Sequence, residues 1–439
     1  MNGKEYSRRR KKLMDLMGEE SIAIIPTSSI SIRNRDIEYP FRPDSDFYYL
    51  TGFGEPEAVA ILIPERHRGE YILFCRDKDP VMETWNGKRA GLKGAKELYE
   101  ADDTFPIEDL DDILPGLLEN KERIFYTMGS DREFDQRVLK WVNQVREKVR
   151  KGVNAPDEFI SLNHFLHEMR LYKSRYEISL MRKAARISAA AHRRAMKVCR
   201  PGMMEYQLES ELIYSFTQQG ARAPAYPAIV GGGNNGCILH YTQNSDTLKD
   251  GDLVLIDAGA EYEGYASDIT RTFPVNGQFS DVQKAVYDVV LKAQLAAIEE
   301  VVPGNLWEDP HEAAAEELTK GMVRLGILEG RVKQLIKDKA YTKYFMHRTG
   351  HWLGMDVHDV GDYKIDNEWR TLEPGMVLTI EPGLYFPSGT KSLAKKWWGI
   401  GIRIEDDVLV TRDGHEVLSK DAPKTTDDIE ALMACELAA

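Results

Sequence analysis

Short apolar runs alternate with longer amphipathic segments along the first part of the chain. Apolar runs of strand length that are bounded by turn residues predict buried strands. The pattern predicts strands at Ser21–Pro26, Phe47–Phe53, Ala58–Pro64, Tyr71–Cys75 and Arg123–Thr127. The segment Glu133–Val149 has the periodicity of a helix. Strands interspersed with helices predict an α/β domain over residues 1–168.

The second part of the chain has longer helical patterns. The segment Lys151–Asp157 is rich in Gly, Asn and Pro, which predicts a loop close to a domain boundary. Helices are predicted at Tyr176–Cys199, Glu205–Gly220, Asp281–Val301 and Pro310–Leu325. From Met376 onward the pattern returns to strands. Because 439 residues are too many for one ordinary core, we expect a second domain over residues 169–439.

Two apolar runs near the middle of the chain each carry an acidic residue. The run Leu253–Gly259 contains Asp257, and after a short turn the run Tyr265–Phe273 contains Asp268. Apolar runs separated by a Gly-containing turn predict a hairpin, which would bring the two carboxylates together. Two adjacent carboxylates repel, and the pKa of one rises, unless a cation lies between them. The hairpin therefore predicts a metal site.

The same arrangement occurs again towards the C-terminal end. The apolar run Val377–Glu381 ends in an acid, and the alternating run Gly399–Asp407 carries Glu405. Side chains alternate between the two faces of a strand, so each acid should share its face with the residue two positions away. The polar neighbours predicted in this way are Thr270 for Asp268, Thr379 for Glu381 and Arg403 for Glu405. Such neighbours orient metal ligands.

Three of the ten histidines lie in one segment, Phe345–Asp359. His347 and His351 have the spacing of two zincin ligands, but Arg348 occupies the position of the glutamate that this motif requires. The zincin motif is therefore excluded. One imidazole together with four carboxylates suits Mn²⁺ and similar divalent ions, and the set is large enough for two of them.

Composition and charge exclude several other classes of function. The net charge of −13 argues against nucleic-acid binding. The four cysteines form no CxxC pair, which argues against a thiolate zinc site and fits a reducing compartment, so we expect a cytoplasmic location. No apolar run approaches the roughly 20 residues of a membrane helix. The glycine-rich stretch Gly231–Gly236 lacks the lysine of a P-loop, so we interpret it as a turn.

Four longer stretches resemble one enzyme family. They read IDAGAEYEGYASDITRTF, HWLGMDVHDVG, LEPGMVLTIEPGLY and GIGIRIEDDVLVT. They resemble the pita-bread metallopeptidases, which include methionine aminopeptidase, prolidase and aminopeptidase P, and they are most similar to the aminopeptidase P branch. The N-terminal stretch EYPFRPDSDFYYLTGFGEPEAVAIL is similar to the N-terminal domain of that branch. The resemblance extends over nearly the whole chain.

The resemblance implies an α+β architecture with a pita-bread catalytic domain over residues 169–439. Residues 1–168 would then form a smaller α/β domain that serves oligomerisation and substrate access. The resemblance also implies two bound divalent metal ions, with Mn²⁺ expected and Co²⁺ or Zn²⁺ as alternatives. The five ligands that it implies are Asp257, Asp268, His351, Glu381 and Glu405.

The implied reaction releases the N-terminal residue from peptides with proline in the second position. A metal-bridging hydroxide would attack the Xaa-Pro bond. The implied catalytic residues are His240, His347, His358 and Glu381, with Glu381 also moving the proton. Arg403 and Tyr385 are implied either to support the ligand residues or to contact substrate, and the implied contacts from a neighbouring subunit are Asp36 and Trp85. The chain would then be a homodimer or homotetramer that binds such peptides and neither nucleic acid nor membranes.

Three alternatives share the same fold. A prolidase, which cuts only Xaa-Pro dipeptides, has the same metal ligands, so the ligands do not discriminate against it. A non-catalytic peptide-binding protein and a metal-free hydrolase of the creatinase type both lack the metal ligands. The presence of all five ligand positions argues against these last two alternatives.

Overall fold

A computed structural model describes residues 3–435 of the chain, which divides into two units at residues 168 and 169. The helices of the first unit are α1 Gly3–Met17, α2 Ser45–Thr51, α3 Pro80–Asn86, α4 Gly91–Tyr99, α5 Leu110–Leu118 and α6 Arg132–Arg146, and α7 Asn163–Leu171 contains the boundary. Its strands are β1 Ser21–Pro26, β2 Ile32–Asn34, β3 Ile37–Glu38, β4 Val59–Leu62, β5 Tyr71–Cys75, β6 Asp103–Pro106, β7 Arg123–Phe125 and β8 Glu158–Ile160.

The predicted apolar runs form a mixed sheet in the order β6-β5-β4-β1-β7-β8. Strand β1 pairs antiparallel with β4 and parallel with β7. Side chains of the sheet, including Ile24 and Ile61, form one apolar core with Trp141 of α6. The predicted α/β character of this part of the chain is confirmed.

The prediction of a strand at Phe47–Phe53 is wrong, because most of this segment forms helix α2. The side chain of Asp44 accepts a hydrogen bond from the backbone N of Phe47 at 2.9 Å, which caps the first turn. Gly52 ends the helix in the left-handed conformation, with φ of 64°. These two local caps outweigh the strand preference of the aromatic residues between them.

The second unit contains the four acids. Its helices are α8 Arg175–Val198, α9 Glu205–Gln218, α10 Asp281–Glu299, α11 Asp309–Arg324, α12 Val332–Lys337 and α13 Thr426–Met433. Its first strands are β9 Ala223–Pro224, β10 Ile229–Gly232, β11 Leu253–Asp257, β12 Ala260–Tyr262, β13 Tyr265–Ala266 and β14 Thr270–Pro274. Its later strands are β15 Lys364–Ile365, β16 Glu368–Trp369, β17 Val377–Ile380, β18 Gly383–Phe386, β19 Ile400–Arg403, β20 Asp406–Val410 and β21 His415–Val417.

The long helices of this unit begin where the sequence supplies caps. Ser174 and Glu177 form a capping box at the start of α8, with bonds of 3.3 and 2.9 Å between side chain and backbone. Helix α8 packs against α9, and α10 packs against α11. Among residues 3–435, none of the helices combines the length and apolar character that a membrane crossing requires.

The first predicted hairpin forms, but its second strand is interrupted. Strand β11 pairs antiparallel with β14, and Asp257 lies opposite Thr270. Between them the chain makes the smaller hairpin of β12 and β13. Asp268 therefore lies in the break between β13 and β14 instead of within a strand.

The second pair of acids also lies at strand breaks. Strand β17 pairs with β20, and β18 pairs with β19, both antiparallel. Glu381 follows the last residue of β17, and Glu405 precedes the first residue of β20. Ile402 and Ile404 are fully buried in the core, as the alternating pattern predicts. These two strand pairs together therefore deliver the second two acids.

Two glycines allow the backbone segments of this site to approach closely. A Cβ atom at Gly259 would overlap the carbonyl of Ser267, next to Asp268. A Cβ atom at Gly350 would overlap the carbonyl of Thr379 in β17. Only glycine fits these positions, so each fixes the distance between a metal-ligand candidate and the neighbouring segment.

We expect Gly350→Ala to lower the free energy of unfolding by about 1–3 kcal/mol, because the added methyl group pushes the His351 segment away from β17. Thermal unfolding against the wild type measures the effect. Gly54→Ala is the control, because a Cβ atom there has no neighbour within 4 Å. Equal unfolding temperatures for the two variants would contradict the close approach.

Candidate metal centre

All five ligand candidates line one cavity of about 250 Å³ in the second unit. Four predicted neighbours share its wall: His240, His347, His358 and Arg403. Asp257 comes from the end of β11, the other three carboxylates come from the strand breaks described above, and His351 comes from the segment that Gly350 holds against β17. The cavity therefore brings together residues that are more than 140 positions apart in the chain, such as Asp257 and Glu405.

The imidazole of His351 lies among the acids. Its Nε2 atom is 3.3 Å from Oδ2 of Asp268 and 3.6 Å from Oε1 of Glu381. Asp268, His351 and Glu405 each offer a ligand atom within 4.8 Å of the others. Nδ1 of His351 lies 2.9 Å from the carbonyl oxygen of Trp352, which can only accept, so the proton sits on Nδ1. Nε2 is therefore the nitrogen that faces the acids, and it can hold a metal ion once it has lost its own proton.

The protonation behaviour of the cluster reflects excess negative charge. Burial raises the pKa of Glu381 to about 7, although His351 and Arg403 oppose the shift. Burial and the charges of Asp268 and Glu381 raise the pKa of Glu405 well above its usual range. Burial lowers the pKa of His351, but its hydrogen bond to Asp268 and the charge of Glu381 outweigh this and raise it to about 9.

These shifts are those of a site that attracts positive charge. In the metal-free protein, protons on the imidazole and carboxyls relieve the repulsion, and a divalent ion would displace them. Four carboxylates and one imidazole form an oxygen-rich donor set of the kind that binds Mn²⁺ and similar ions. The residues present therefore fit divalent metal binding.

Tyr226 supports this cluster and was not found from the sequence. Its hydroxyl group lies 2.7 Å from Oδ1 of Asp257 and is also within hydrogen-bond distance of Oδ1 of Asp268. Burial and the two carboxylates raise the pKa of Tyr226 well above its usual value, so the hydroxyl keeps its proton as a donor. No motif singles out this tyrosine, because the contact arises only when distant segments meet.

The polar neighbours of the acids differ in part from the prediction. Thr379 donates to Glu381 at 3.3 Å, as predicted from strand alternation. Thr270 donates to Glu405 at 2.6 Å instead of to Asp268, and Arg403 pairs with Asp257 at 2.6 Å instead of with Glu405. Alternation predicts which side chains share a face of one strand, whereas the contacts of Thr270 and Arg403 join neighbouring strands.

A chain of hydrogen bonds runs from Arg403 to His347. Arg403 donates to the hydroxyl of Tyr385 at 3.1 Å, and that hydroxyl lies 2.8 Å from Nε2 of His347. Nδ1 of His347 lies 2.7 Å from the carbonyl oxygen of Arg348, so Nδ1 carries the proton and Nε2 accepts from Tyr385. Burial and the charge of Arg403 lower the pKa of His347 to about 3, which keeps the ring neutral.

Tyr385 was predicted either to support the ligand residues or to contact substrate, and its position in the structure favours the first role. Its side chain is 0% exposed and does not line the cavity, because it lies behind His347 and Arg403. Both ring nitrogens of His347 are engaged, so this residue forms the cavity wall. His240 is exposed, and the ring of His358 lies 4.4 Å from that of His351.

The remaining two predicted contacts lie in the first unit. Asp36 is an exposed turn residue between β2 and β3, and Trp85 is 80% exposed on α3. Their predicted role in the site of a neighbouring subunit stays a prediction.

The comparisons with known proteins agree with this geometry. Residues 179–412 match the model of Metallopeptidase family M24, and residues 6–126 match that of the Aminopeptidase P, N-terminal domain. The chain belongs to metallopeptidase family M24. It is therefore a peptide-bond hydrolase of the metal-dependent class. The family resemblance and the α+β pita-bread architecture that it implies are confirmed.

Similar proteins cover the chain from end to end. The Xaa-Pro aminopeptidase of Escherichia coli is 44% identical over 98% of this chain and 97% of its own length. The aminopeptidase PepP of Pseudomonas aeruginosa is 57% identical, with a TM-score of 0.98 over 99% of this chain and 98% of that chain. Proline aminopeptidase P II of Yersinia pestis is 48% identical, with a TM-score of 0.96 over 99% and 100% of the two chains.

The raised pKa of His351 predicts how the stability of the metal-free protein depends on pH. The folded state holds this proton up to about pH 9, whereas the ordinary histidine pKa is 6.5. The stabilisation is thus complete below pH 6.5 and is lost as the pH rises through 9. His192 and His311, whose pKa values burial lowers to about 4, are neutral over this range in the folded state.

We therefore expect the unfolding temperature of chelator-treated protein to fall between pH 7 and 9, and to fall less steeply in His351→Asn. Thermal unfolding in matched buffers measures both slopes. Added Mn²⁺ should flatten the wild-type slope, because the ion takes the place of the proton. Identical slopes for the metal-free wild type and variant would show that His351 does not hold this proton.

Proposed function

We propose that this chain is a dinuclear metal-dependent aminopeptidase that releases the N-terminal residue from peptides with proline in the second position. The observation that carries the proposal is the convergence of four carboxylates and one imidazole on a single cavity. Relatives named Xaa-Pro aminopeptidase, which match the chain over nearly its full length, support the choice of substrate.

In this proposal the metal ions are held by the following five residues: Asp257, Asp268, His351, Glu381 and Glu405. Divalent ions supply Lewis-acid chemistry, because they polarise a carbonyl group and lower the pKa of water towards neutrality. The oxygen-rich donor set favours Mn²⁺, with Co²⁺ and Zn²⁺ as alternatives. A zinc-substituted aminopeptidase P of Escherichia coli with product is among the similar structures.

Glu381 is the residue that moves the proton. Its Oε1 atom accepts from Thr379 and faces His351, whereas Oε2 lies towards His347, 3.9 Å from Nδ1. Oε2 is therefore the oxygen that would take a proton from the attacking water and pass it to the leaving nitrogen.

In this proposal the three histidines of the cavity wall have two roles, which are hydrogen bonding to substrate and shaping of the wall. His240 and His358 offer hydrogen bonds to the carbonyl oxygen and the peptide backbone as charge develops. His347 shapes the wall, since Tyr385 and the Arg348 carbonyl already engage its two nitrogens. Arg403 holds Asp257 and Tyr385 in place, so it acts on substrate through them.

Proline explains the need for such a site. The amide before proline has no N–H group, so an enzyme cannot recognise it by backbone hydrogen bonding there. We propose that Asp36 and Trp85 of a neighbouring subunit close the cavity and select the free amine, which makes the enzyme a homodimer or homotetramer. Their exposure in the first unit is consistent with an intermolecular contact.

We also propose a cytoplasmic location. Cys75, Cys199, Cys237 and Cys435 are all free, which fits a reducing compartment.

One assay separates the proposed activity from the alternatives. Purified protein is stripped of metal, reloaded with Mn²⁺, Co²⁺ or Zn²⁺, and given Xaa-Pro dipeptides and Xaa-Pro-Yaa peptides of increasing length. We expect turnover of tripeptides and longer peptides after reloading. A strict preference for the dipeptide would identify a prolidase. Protein that binds no divalent ion and gains no activity from Mn²⁺ would instead favour a metal-free relative or a binding protein.

We expect Asp268→Asn to lower kcat by more than about 100-fold while the fold is kept, because it removes a charge from the centre of the donor set. Peptide hydrolysis and circular dichroism measure the two effects. Asp250→Asn is the matched control, since it makes the same change outside the cavity. Appreciable activity in the Asp268 variant would count against the two-metal assignment.

A further inference from the structure

A buried ionic cluster lies directly behind the metal-ligand candidate Glu405. It consists of Arg271, Asp406 and Lys424, in which Arg271 and Asp406 have side chains that are 0% exposed. Arg271 follows Thr270 in the chain, and Asp406 follows Glu405. The cluster is therefore joined covalently to the residues of the metal centre but does not line its cavity.

Every N–H group of Arg271 has an acceptor. A guanidinium carries five N–H donors in a rigid plane, and Arg271 makes five hydrogen bonds. The acceptors are the carbonyl oxygens of Pro423 (3.0 Å), Thr270 (2.9 Å), Glu405 (2.5 Å) and Ala422 (2.9 Å), and Oδ1 of Asp406 (2.7 Å). Four of the five acceptors are backbone carbonyl oxygens, so this side chain connects segments that are far apart in the sequence.

Asp406, the partner of Arg271, is also fully hydrogen-bonded. Its two oxygens accept from four groups, which fills the capacity of a carboxylate. The donors are Arg271 (2.7 Å), Ser419 (2.7 Å), Gln294 (2.8 Å) and Lys424 (2.7 Å). Lys424 also donates to the side-chain oxygen of Gln294 at 3.0 Å. The orientation of Arg271 is therefore fixed by a closed network.

Thr270 and Glu405 contact each other, and Arg271 donates a hydrogen bond to the backbone carbonyl of each. The carbonyl of Thr270 accepts from Arg271 and also from the backbone N of Glu405 at 3.1 Å. The hydroxyl of the same threonine donates to Oε2 of Glu405 at 2.6 Å. Asp257 lies opposite Thr270 in the strand register. Movement of Arg271 would thus shift Glu405 relative to Asp257.

A second link leads from the cluster to Asp268. Ser419, which donates to Asp406, accepts a hydrogen bond from the backbone N of Asp407 at 3.0 Å. The side chain of Asp407 in turn accepts from the backbone N of Asp268 at 3.0 Å. Two of the five ligand candidates are therefore positioned through the same network.

We propose that Arg271 is a positioning residue that holds Glu405 and Asp268 in the geometry required for metal binding. Buried ion pairs contribute little net stability, because apolar side chains of similar volume serve a core as well. The Arg271–Asp406 pair instead serves to fix the backbone. The bonds from Arg271 to the carbonyls of Thr270 and Glu405 hold these segments in place against the mutual repulsion of the acids. The proposal rests on the metal-binding role assigned under the proposed function.

The test is a calorimetric titration of metal-free Arg271→Lys with Mn²⁺. Lysine keeps the charge and the pair with Asp406, but its three donors at one nitrogen cannot reach both carbonyl groups. We expect the affinity for at least one ion to fall by roughly 10–100-fold, as for residues that orient metal ligands. At saturating Mn²⁺, KM for an Xaa-Pro-Yaa peptide should stay unchanged.

Leu212→Ala is the control for general destabilisation. Leu212 is fully buried in the apolar core on α9 and belongs to neither the cavity nor the cluster. This variant should unfold at a lower temperature but bind Mn²⁺ like the wild type. The positioning role is overturned if Arg271→Lys binds Mn²⁺ with wild-type affinity, or if Leu212→Ala weakens binding as much.

Ser419→Ala provides a second test if Arg271→Lys does not fold. It removes the hydroxyl that donates to Asp406 and accepts from the backbone N of Asp407, so it breaks the link from the cluster to Asp268. A measurable loss of Mn²⁺ affinity supports the positioning role, and an unchanged affinity overturns it. Failure of the wild-type protein to bind any divalent ion would instead refute the proposed function.

Discussion

The repulsion between four clustered carboxylates, two of them buried and two partly exposed, is the constraint on which the second unit depends. Asp257, Asp268, Glu381 and Glu405 share one cavity with a single imidazole. Without positive charge between them, burial forces protons onto some of these groups, as the raised pKa values of Glu381 and Glu405 show. A fold that assembles such a cluster needs a cation for function and rigid supports for each acid.

The fold supplies these supports through interrupted strands. Each acid lies at the end of a strand or in the break between two strands, and its side chain lines the cavity. Tyr226, Arg403 and Thr270 bind carboxylate oxygens from the sides. The network of Arg271 and Asp406 holds the backbone from behind. The acids are therefore oriented before any ion arrives, which reduces the cost of binding it.

The sequence predicts more of the metal centre than of its surroundings. Strand-end acids such as Asp257 are recognisable because the apolar runs that place them are local. The second-unit helices also follow local periodicity and caps. Contacts that join distant segments carry no local signal, so the roles of Tyr226 and Arg271 and the burial of Tyr385 emerge only in three dimensions. The helix at Ser45–Thr51 is different: its caps are local in the sequence, but the prediction followed the strand preference of the aromatic residues instead.

The most direct measurement is anomalous X-ray diffraction at the manganese edge from crystals grown with Mn²⁺. It locates the ions themselves and does not depend on catalytic activity. We predict two anomalous peaks in the cavity, both among the carboxylates and one of them beside Nε2 of His351. No peak in this cavity, or peaks only at surface carboxylates, would contradict this prediction.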